Sequence, residues 1–200
     1  MTDQKYSRDD FSPSERIILL ALLKSHEKGV GATDHLWIQK VSFLFRRLLE
    51  SVDQAEGPQE SGYIAYDFGP YSEEVEGSLN SLIKDGLLSV VNRRMSLTPK
   101  GRKIADLIVR ERPNGAAAMN SILGLVQSLT PNELILYVYA TVPEWAEASK
   151  IKGILRDSRA RFLLAKKLLL SERLSTERAA EIAGLSLVEF RRRLTREMKS

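Results

Sequence analysis

The sequence has no cysteine and only two histidines, His26 and His35. Without thiols there is no disulfide framework and no thiolate metal site. One histidine ends a helix and the other begins one, with no partner motif beside either, so both read as capping or surface residues. No H-E-x-x-H, G-x-x-x-x-G-K-[ST] or G-x-G-x-x-G pattern occurs. Glu73, Glu74 and Glu76 crowd one helical turn, but i, i+1 and i+3 without further donors make a poor cation site. These absences predict a protein that is not an enzyme, with no catalytic residue, no metal and no cofactor. Long apolar runs are missing too, since none nears the roughly 20 residues a membrane helix needs. The first ten residues are polar and charged, unlike a signal peptide. The expectation is a cytoplasmic protein.

What is present is an ordinary globular composition, 43% hydrophobic and 28% charged over 200 residues. That length suits one large domain or two small ones. The net charge of +4 conceals an uneven distribution. Residues 150–200 carry 14 Lys/Arg against 6 Asp/Glu, whereas the rest carries 16 against 20. The last quarter therefore attracts a polyanion. No strongly apolar amphipathic face of the kind that lies in lipid accompanies it, so no membrane partner is expected.

Residues 1–11 read as a flexible leader. Ser12-Pro13-Ser14-Glu15 starts a helix that Gly29 ends. A second helix runs from Thr33-Asp34 to about Glu50, with Leu36, Trp37, Val41, Leu44, Phe45 and Leu48 on a broad apolar face. Residues 51–60, with Gly57-Pro58, read as a loop. Tyr63 to Phe68 is one short β-prone run. Ser72 caps a third helix, which buries Val75, Leu79, Leu82 and Ile83 and stops at Gly86. Leu87–Val91 and Met95–Leu97 are strands around an Asn92-Arg93-Arg94 turn. Thr98-Pro99 opens a helix to about Glu111. Helices followed by a two-stranded hairpin are the layout of a winged helix, assigned to residues 12–112.

Arg112 to Gly115 reads as a hinge. A helical connector over 113–156 follows, with helices over 116–128 and from Thr130 to about Thr141, and a short one at Pro143. The apolar residues Leu123, Val126, Leu134, Leu136, Tyr137, Tyr139 and Trp145 belong to a core here. The last segment, 157–200, is trihelical. A basic helix runs from Asp157 or Ser158 to Leu170. Ser175 caps the next, whose Ala179, Ala180 and Ala183 permit close helix approach. Gly184 marks a sharp turn. Ser186 caps a final helix with one apolar stripe, Leu187, Phe190 and Leu194. Arg191, Arg192, Arg193 and Arg196 cover much of its remaining surface. This is the pattern of a helix-turn-helix whose second helix enters a DNA major groove. The fold class expected is mainly α: an N-terminal winged helix with a small β-hairpin wing, a helical middle and a C-terminal helix-turn-helix.

Two resemblances accompany these motifs. Gln39-Lys40-Val41-Ser42-Phe43-Leu44, Tyr66 to Val75 with its Phe68-Gly69-Pro70-Tyr71-Ser72 turn, and Leu97-Thr98-Pro99-Lys100-Gly101 together resemble a family of prokaryotic winged-helix proteins. That likeness spans about residues 15–110 and implies a transcription regulator, an antitoxin or a protease adaptor. Leu174-Ser175, Arg178 to Ser186 and Glu189-Phe190 are similar to a small prokaryotic antitoxin-like helix-turn-helix family, over about residues 158–197. Members of that family are usually short, whereas here the unit follows a winged helix.

The two modules differ in charge. Glu73, Glu74 and Glu76 front the third helix and repel phosphate. At an effective dielectric of ~20 and ~6–8 Å, each like-charge pair costs a couple of kcal/mol before salt screening. The winged helix is therefore expected to bind a partner protein through these carboxylates or to dimerise, with Arg93 and Arg94 at the wing as secondary phosphate contacts. In the C-terminal unit, Arg191 and Arg192 flank the groove face, with Arg193 and Arg196 near phosphates. Ser186 and Thr195 are expected phosphate donors, and Ser175, Thr176 and Arg178 reach the backbone from the preceding helix. Glu189 either reads a cytosine or caps its helix. The expected function is that of a sequence-specific transcription regulator, a homodimer on double-stranded DNA. The alternative is a protein-interaction module, antitoxin or adaptor, whose winged helix holds the partner.

Overall fold

The structure is a computed structural model. It describes residues 10–30, 33–52, 62–146 and 149–199. The described chain is mainly α-helical, with nine helices and two small antiparallel hairpins. It divides into two compact units. The first draws its described residues from Met1–Ile64 and Tyr71–Gln127, the second from Ala65–Pro70 and Ser128–Ser200.

The first unit is built on α1 (Pro13–Glu27), which packs against four other helices. Its run from Ile17 to Leu23 is apolar all round and buried throughout, as a helix enclosed on every side requires. Ser12 and Glu15 form a reciprocal capping box at its start (Glu15 N to Ser12 Oγ 3.2 Å, Ser12 N to Glu15 Oε2 2.7 Å). Phe11, read as part of a flexible leader, is buried instead. The earlier part of that leader, residues 1–9, lies outside the described residues.

The helix α2 (His35–Val52) begins where the Asp34 carboxylate accepts the Trp37 N–H at 2.8 Å. Residues 53–60 of the expected loop lie outside the described residues. The single strand expected at 63–68 is two: β1 (Ile64–Tyr66) and β2 (Gly69–Tyr71) pair across a turn at Asp67-Phe68. Ser72 then caps α3 (Glu73–Lys84) by accepting the Val75 N–H at 3.3 Å. The backbone of Ser72 is held from the side by Gln39. The Gln39 amide donates to Ser72 O at 3.1 Å and accepts from Ser72 N at 3.0 Å, as a neighbouring strand would. Both groups are buried, so this bidentate bond fixes the start of α3 on α2.

The strands β3 (Leu88–Val91) and β4 (Arg94–Leu97) pair antiparallel, Leu88 opposite Leu97 and Val91 opposite Arg94. Asn92 and Arg93 alone make the turn, with φ of 50° and 65°. Two left-handed residues in a two-residue loop are the mark of a type I′ hairpin. Arg94 is thus the first residue of β4 and not part of the turn. Thr98 caps α4 (Pro99–Glu111). Gly101 sits in that first turn because a Cβ there would lie 2.1 Å from the Leu87 carbonyl oxygen. The expected hinge at Arg112–Gly115 is instead the start of α5 (Pro113–Val126), which packs on α1, α2 and α4.

In the second unit, a Thr130–Glu133 capping box opens α6 (Pro131–Thr141). Short 3-10 turns follow at Pro143–Ala146 and Lys152–Arg156. Leu134, Leu136, Tyr137, Tyr139 and Trp145 are buried, as are Leu123 and Val126 in the first unit. The Ala65–Pro70 segment joins this unit through Asp67. Its carbonyl accepts from Ser149 Oγ at 2.8 Å and Lys150 N at 3.1 Å, and its carboxylate pairs with the Lys150 ammonium.

Lys40 on α2 is 3% exposed, and burial lowers its pKa from 10.5 to about 8. The unfolded chain keeps this proton to about pH 10.5 and the folded chain only to about pH 8. Folding therefore releases a proton between these limits, and stability rises with pH across that window. Below pH 8 the buried charge costs about 3 kcal/mol. Replacing Lys40 by Met removes this rise. Urea unfolding at pH 7.5 and pH 10.5 is expected to show the variant's stability advantage over the parent shrinking by about that amount.

Candidate nucleic-acid interface

The C-terminal trihelical unit consists of α7 (Ser158–Leu170), α8 (Thr176–Ala183) and α9 (Leu187–Glu197). Asp157 caps α7, its carboxylate accepting from Arg159 N and Ala160 N at 3.0 and 2.9 Å. Ser175 Oγ caps α8 by accepting the Arg178 N–H at 3.3 Å. Ala179, Ala180 and Ala183 are buried, which lets α7 lie close against α8. The core beneath is aromatic: Phe162 of α7 and Phe190 of α9 are fully buried, with ring centroids 5.5 Å apart.

The turn between α8 and α9 is set by Gly184 and Arg161. Gly184 is left-handed, with φ of 68°. Arg161 reaches across from α7 and donates to the Ile182 carbonyl from Nε at 2.7 Å and to the Glu181 carbonyl from Nη2 at 3.2 Å. Carbonyls at a helix C-terminus lack intrahelical donors and carry partial negative charge, so a guanidinium suits both needs. A Cβ at position 184 would lie 2.7 Å from Arg161 Nη1. Glycine is thus favoured twice, by the left-handed backbone and by the guanidinium that a Cβ would have to displace.

Ser186 and Glu189 then start α9 with a full capping box. The Ser186 hydroxyl accepts from Glu189 N at 3.3 Å and donates to Glu189 Oε2 at 2.6 Å. The Ser186 hydroxyl, then its backbone N–H, hold the Glu189 carboxyl below its usual range. Of the two roles considered for Glu189, the structure places it in the cap.

The expected DNA-contacting residues fall into three groups. Ser175 and Ser186 have hydroxyls engaged in caps, and the Thr195 hydroxyl donates to the Arg191 carbonyl at 3.0 Å. Thr176 is half-buried, and Arg178 pairs with Glu181 on its own helix. Arg193 does not stand out toward solvent. Its guanidinium lies 4.1 Å over the Phe162 ring, a cation–π contact that closes the core, with Glu197 at 4.0 Å. The third group faces solvent: Arg191, Arg192 and Arg196. Arg191 is 3.8 Å from Glu177, but both are mostly exposed and such a pair is worth little.

Val188 also stands on this exposed face. It is 76% exposed, and the sequence reading passed over it because it adjoins the Leu187–Phe190–Leu194 stripe. One step of about 100° from Leu187 turns it outward among the arginines. Beside it, Leu185, Glu189, Arg192, Arg193 and Arg196 line an open notch of about 200 Å³. Arg192 and Arg196 bring positive charge to this notch and Glu189 brings a carboxylate.

Two other cations of this unit, Lys166 and Lys167, pair within it. Lys166 pairs with Glu197 at 3.3 Å. Lys167 donates to the Ser128 carbonyl at 2.7 Å and to Glu133 at 2.8 and 3.0 Å. Burial pushes the Glu133 carboxyl up, but hydrogen bonds from Lys167 and Thr130 hold it below its usual range.

In the first unit the acidic turn is largely spoken for. Glu74 accepts from Ser14 Oγ at 2.6 Å and pairs with Arg46 at 3.0 Å. Glu76 meets His35 Nε2 at 2.5 Å, so His35 is an ion-pair partner as well as a surface residue. Glu73 alone of the three points to solvent without such a contact. Arg93 occupies the hairpin tip, and Arg94 is exposed on β4. Among the described residues, no three His, Asp or Glu side chains gather at metal-binding distances, and no helix is long and apolar enough to cross a membrane.

No family model matches the chain, and no curated protein matches it.

Two outcomes follow from this geometry. Gly184→Ala is expected to cost about 2 kcal/mol, from left-handed strain and the displaced Arg161. In urea unfolding its effect and that of Arg161→Met will not add, because both break the same contact. Arg93→Gly relieves a left-handed arginine and is expected to raise stability by about 1 kcal/mol in the same assay.

Proposed function

We propose that the chain is a DNA-binding transcription regulator that reads duplex DNA with α9. The observation that carries this is the exposed face of α9, where Val188, Arg191, Arg192, Thr195 and Arg196 are all exposed. Of the carboxylates beside them, Glu189 is held in its own cap and Glu177 lies 3.8 Å from Arg191. Groove entry needs a helix projecting from a rigid support with basic side chains exposed. The caps at Ser175 and Ser186 and the Arg161 contact supply the rigidity. Arg192 and Arg196 supply charge for base and phosphate contact.

One recognition helix covers one half-site, so the regulator acts as a homodimer in this reading. The first unit is a winged helix in the same reading, with α3 preceding the β3–β4 wing. It serves self-association or a partner protein, and Arg93 and Arg94 add a phosphate contact at the wing. Glu74 and Glu76 are engaged within the chain, which leaves Glu73 as the acidic contact for a partner. The protein acts in the cytoplasm, where its DNA lies.

The test is duplex binding by the full chain across a salt series. Binding is expected to fall linearly in log–log form, by close to one power of salt per phosphate neutralised. The double variant Arg191→Ala/Arg192→Ala is expected to weaken specific binding by about 2–4 kcal/mol, at ~1–3 kcal/mol per base contact. Parent-like binding by that variant would remove α9 from the interface.

A further inference from the structure

The α9 face contains one residue whose chemistry is unlike the others. Val188 is the most exposed large apolar side chain among the described residues, 76% exposed against 65% for the next. A lone exposed valine is unremarkable on most surfaces. This one stands in the first turn of α9, the end from which a recognition helix touches base edges. Two cations, Arg191 and Arg192, follow it at i+3 and i+4 and share its side of the helix.

The neighbouring side chains narrow what the first turns of α9 can read. Ser186 and Glu189 are locked to each other, and the Thr195 hydroxyl is bonded to the Arg191 carbonyl. Arg193 lies on the Phe162 ring. Arg191 lies toward Glu177 at 3.8 Å. Val188 and Arg192 lie one helical turn apart on the same face, in the N-terminal half of α9 that leads into the groove. Residues at i and i+4 have Cβ atoms about 5–6 Å apart. Successive base pairs rise about 3.4 Å. The two side chains therefore meet base pairs at most two steps apart.

Their chemistries select different bases. In the major groove only thymine presents a methyl group, and an apolar side chain is the group that rewards contact with it. A guanidinium pairs bidentately with guanine O6 and N7. Resting on the DNA-binding reading above, we infer that Val188 is a specificity residue that contacts a thymine methyl, and that Arg192 reads a guanine within two base pairs of it.

The experiment uses the full chain throughout. Selection from a random duplex pool defines the preferred site for the parent and for Arg192→Ala. Each thymine of the parent site is then replaced singly by deoxyuridine, which deletes only the methyl group. Affinities are measured for the parent and for Val188→Ser, an exposed substitution whose folding is checked by thermal unfolding. The expected result is a roughly three- to tenfold loss for the parent at one thymine, the worth of about one buried methyl. Val188→Ser is expected to bind the thymine and deoxyuridine sites equally. Arg192→Ala is expected to lose selection at a guanine within two base pairs of that thymine.

The inference is overturned if the selected site has no thymine, or if no methyl deletion affects the parent. It is also overturned if Val188→Ser keeps the parent's preference, or if Arg192→Ala selects the same guanine. All of those outcomes leave salt-dependent duplex binding intact. Absence of duplex binding by the parent would instead remove the DNA-binding reading itself, and this inference with it.

Discussion

The direction of α9 depends on how the end of α8 is satisfied. A helix that stops leaves carbonyls short of donors, and here the Arg161 guanidinium donates to two of them, Glu181 O also accepting the Gly184 N–H. Its position leaves no room for a Cβ at Gly184, and the left-handed backbone there turns the chain into the Ser186 cap. Phe190 is then carried inward onto Phe162, and Val188, Arg192 and Arg196 are carried outward. A cation of α7 thus aims those of α9.

The same sorting applies to charge as a whole. The C-terminal quarter is rich in Lys and Arg, but Arg161, Arg178, Lys166 and Lys167 each meet a carbonyl or carboxylate of their own unit. Arg193 is held by a ring and Lys150 by Asp67. Exposed arginines are then found on α9, at Arg191, Arg192 and Arg196, and off it, at Arg156, Arg159 and Arg173. The acidic turn of α3 shows the converse in part, since Glu74 pairs with Arg46. Net charge by segment therefore overstates the contrast between the two units.

Much of the local architecture is legible from residue order because it follows local rules. Ser12-Pro13, Thr98-Pro99, Thr130-Pro131, Ser175 and Ser186 all cap the helices they announce, and Gly184 adopts the left-handed turn its position suggests. Contacts between distant residues are not legible in that way. The roles of Arg161 and Arg193 depend on where α7 meets α8 and α9. Phe11 looked like leader because only the packed core shows that it is buried. The Arg112–Gly115 stretch looked like a hinge, yet proline suits the first turn of a helix and α5 starts there at once. The motifs at Gln39, Ser72 and Gly101 have physical reasons in the fold: a side-chain clamp on a helix start, and a close backbone approach. They speak for architecture, and the reading of function rests on α9 instead.

The Asp67 clasp has a consequence for the order in which the chain is made. Asp67 leaves the ribosome 82 residues ahead of Ser149, the hydroxyl that binds its carbonyl. All of α3, α4, α5 and α6 is synthesised in between. The hairpin turn must wait, unclasped, while the segments of the first unit on either side of it collapse. Completion of the second unit is therefore a late event in biosynthesis, and a polypeptide cut before residue 149 retains a turn whose acceptor has nothing to hold.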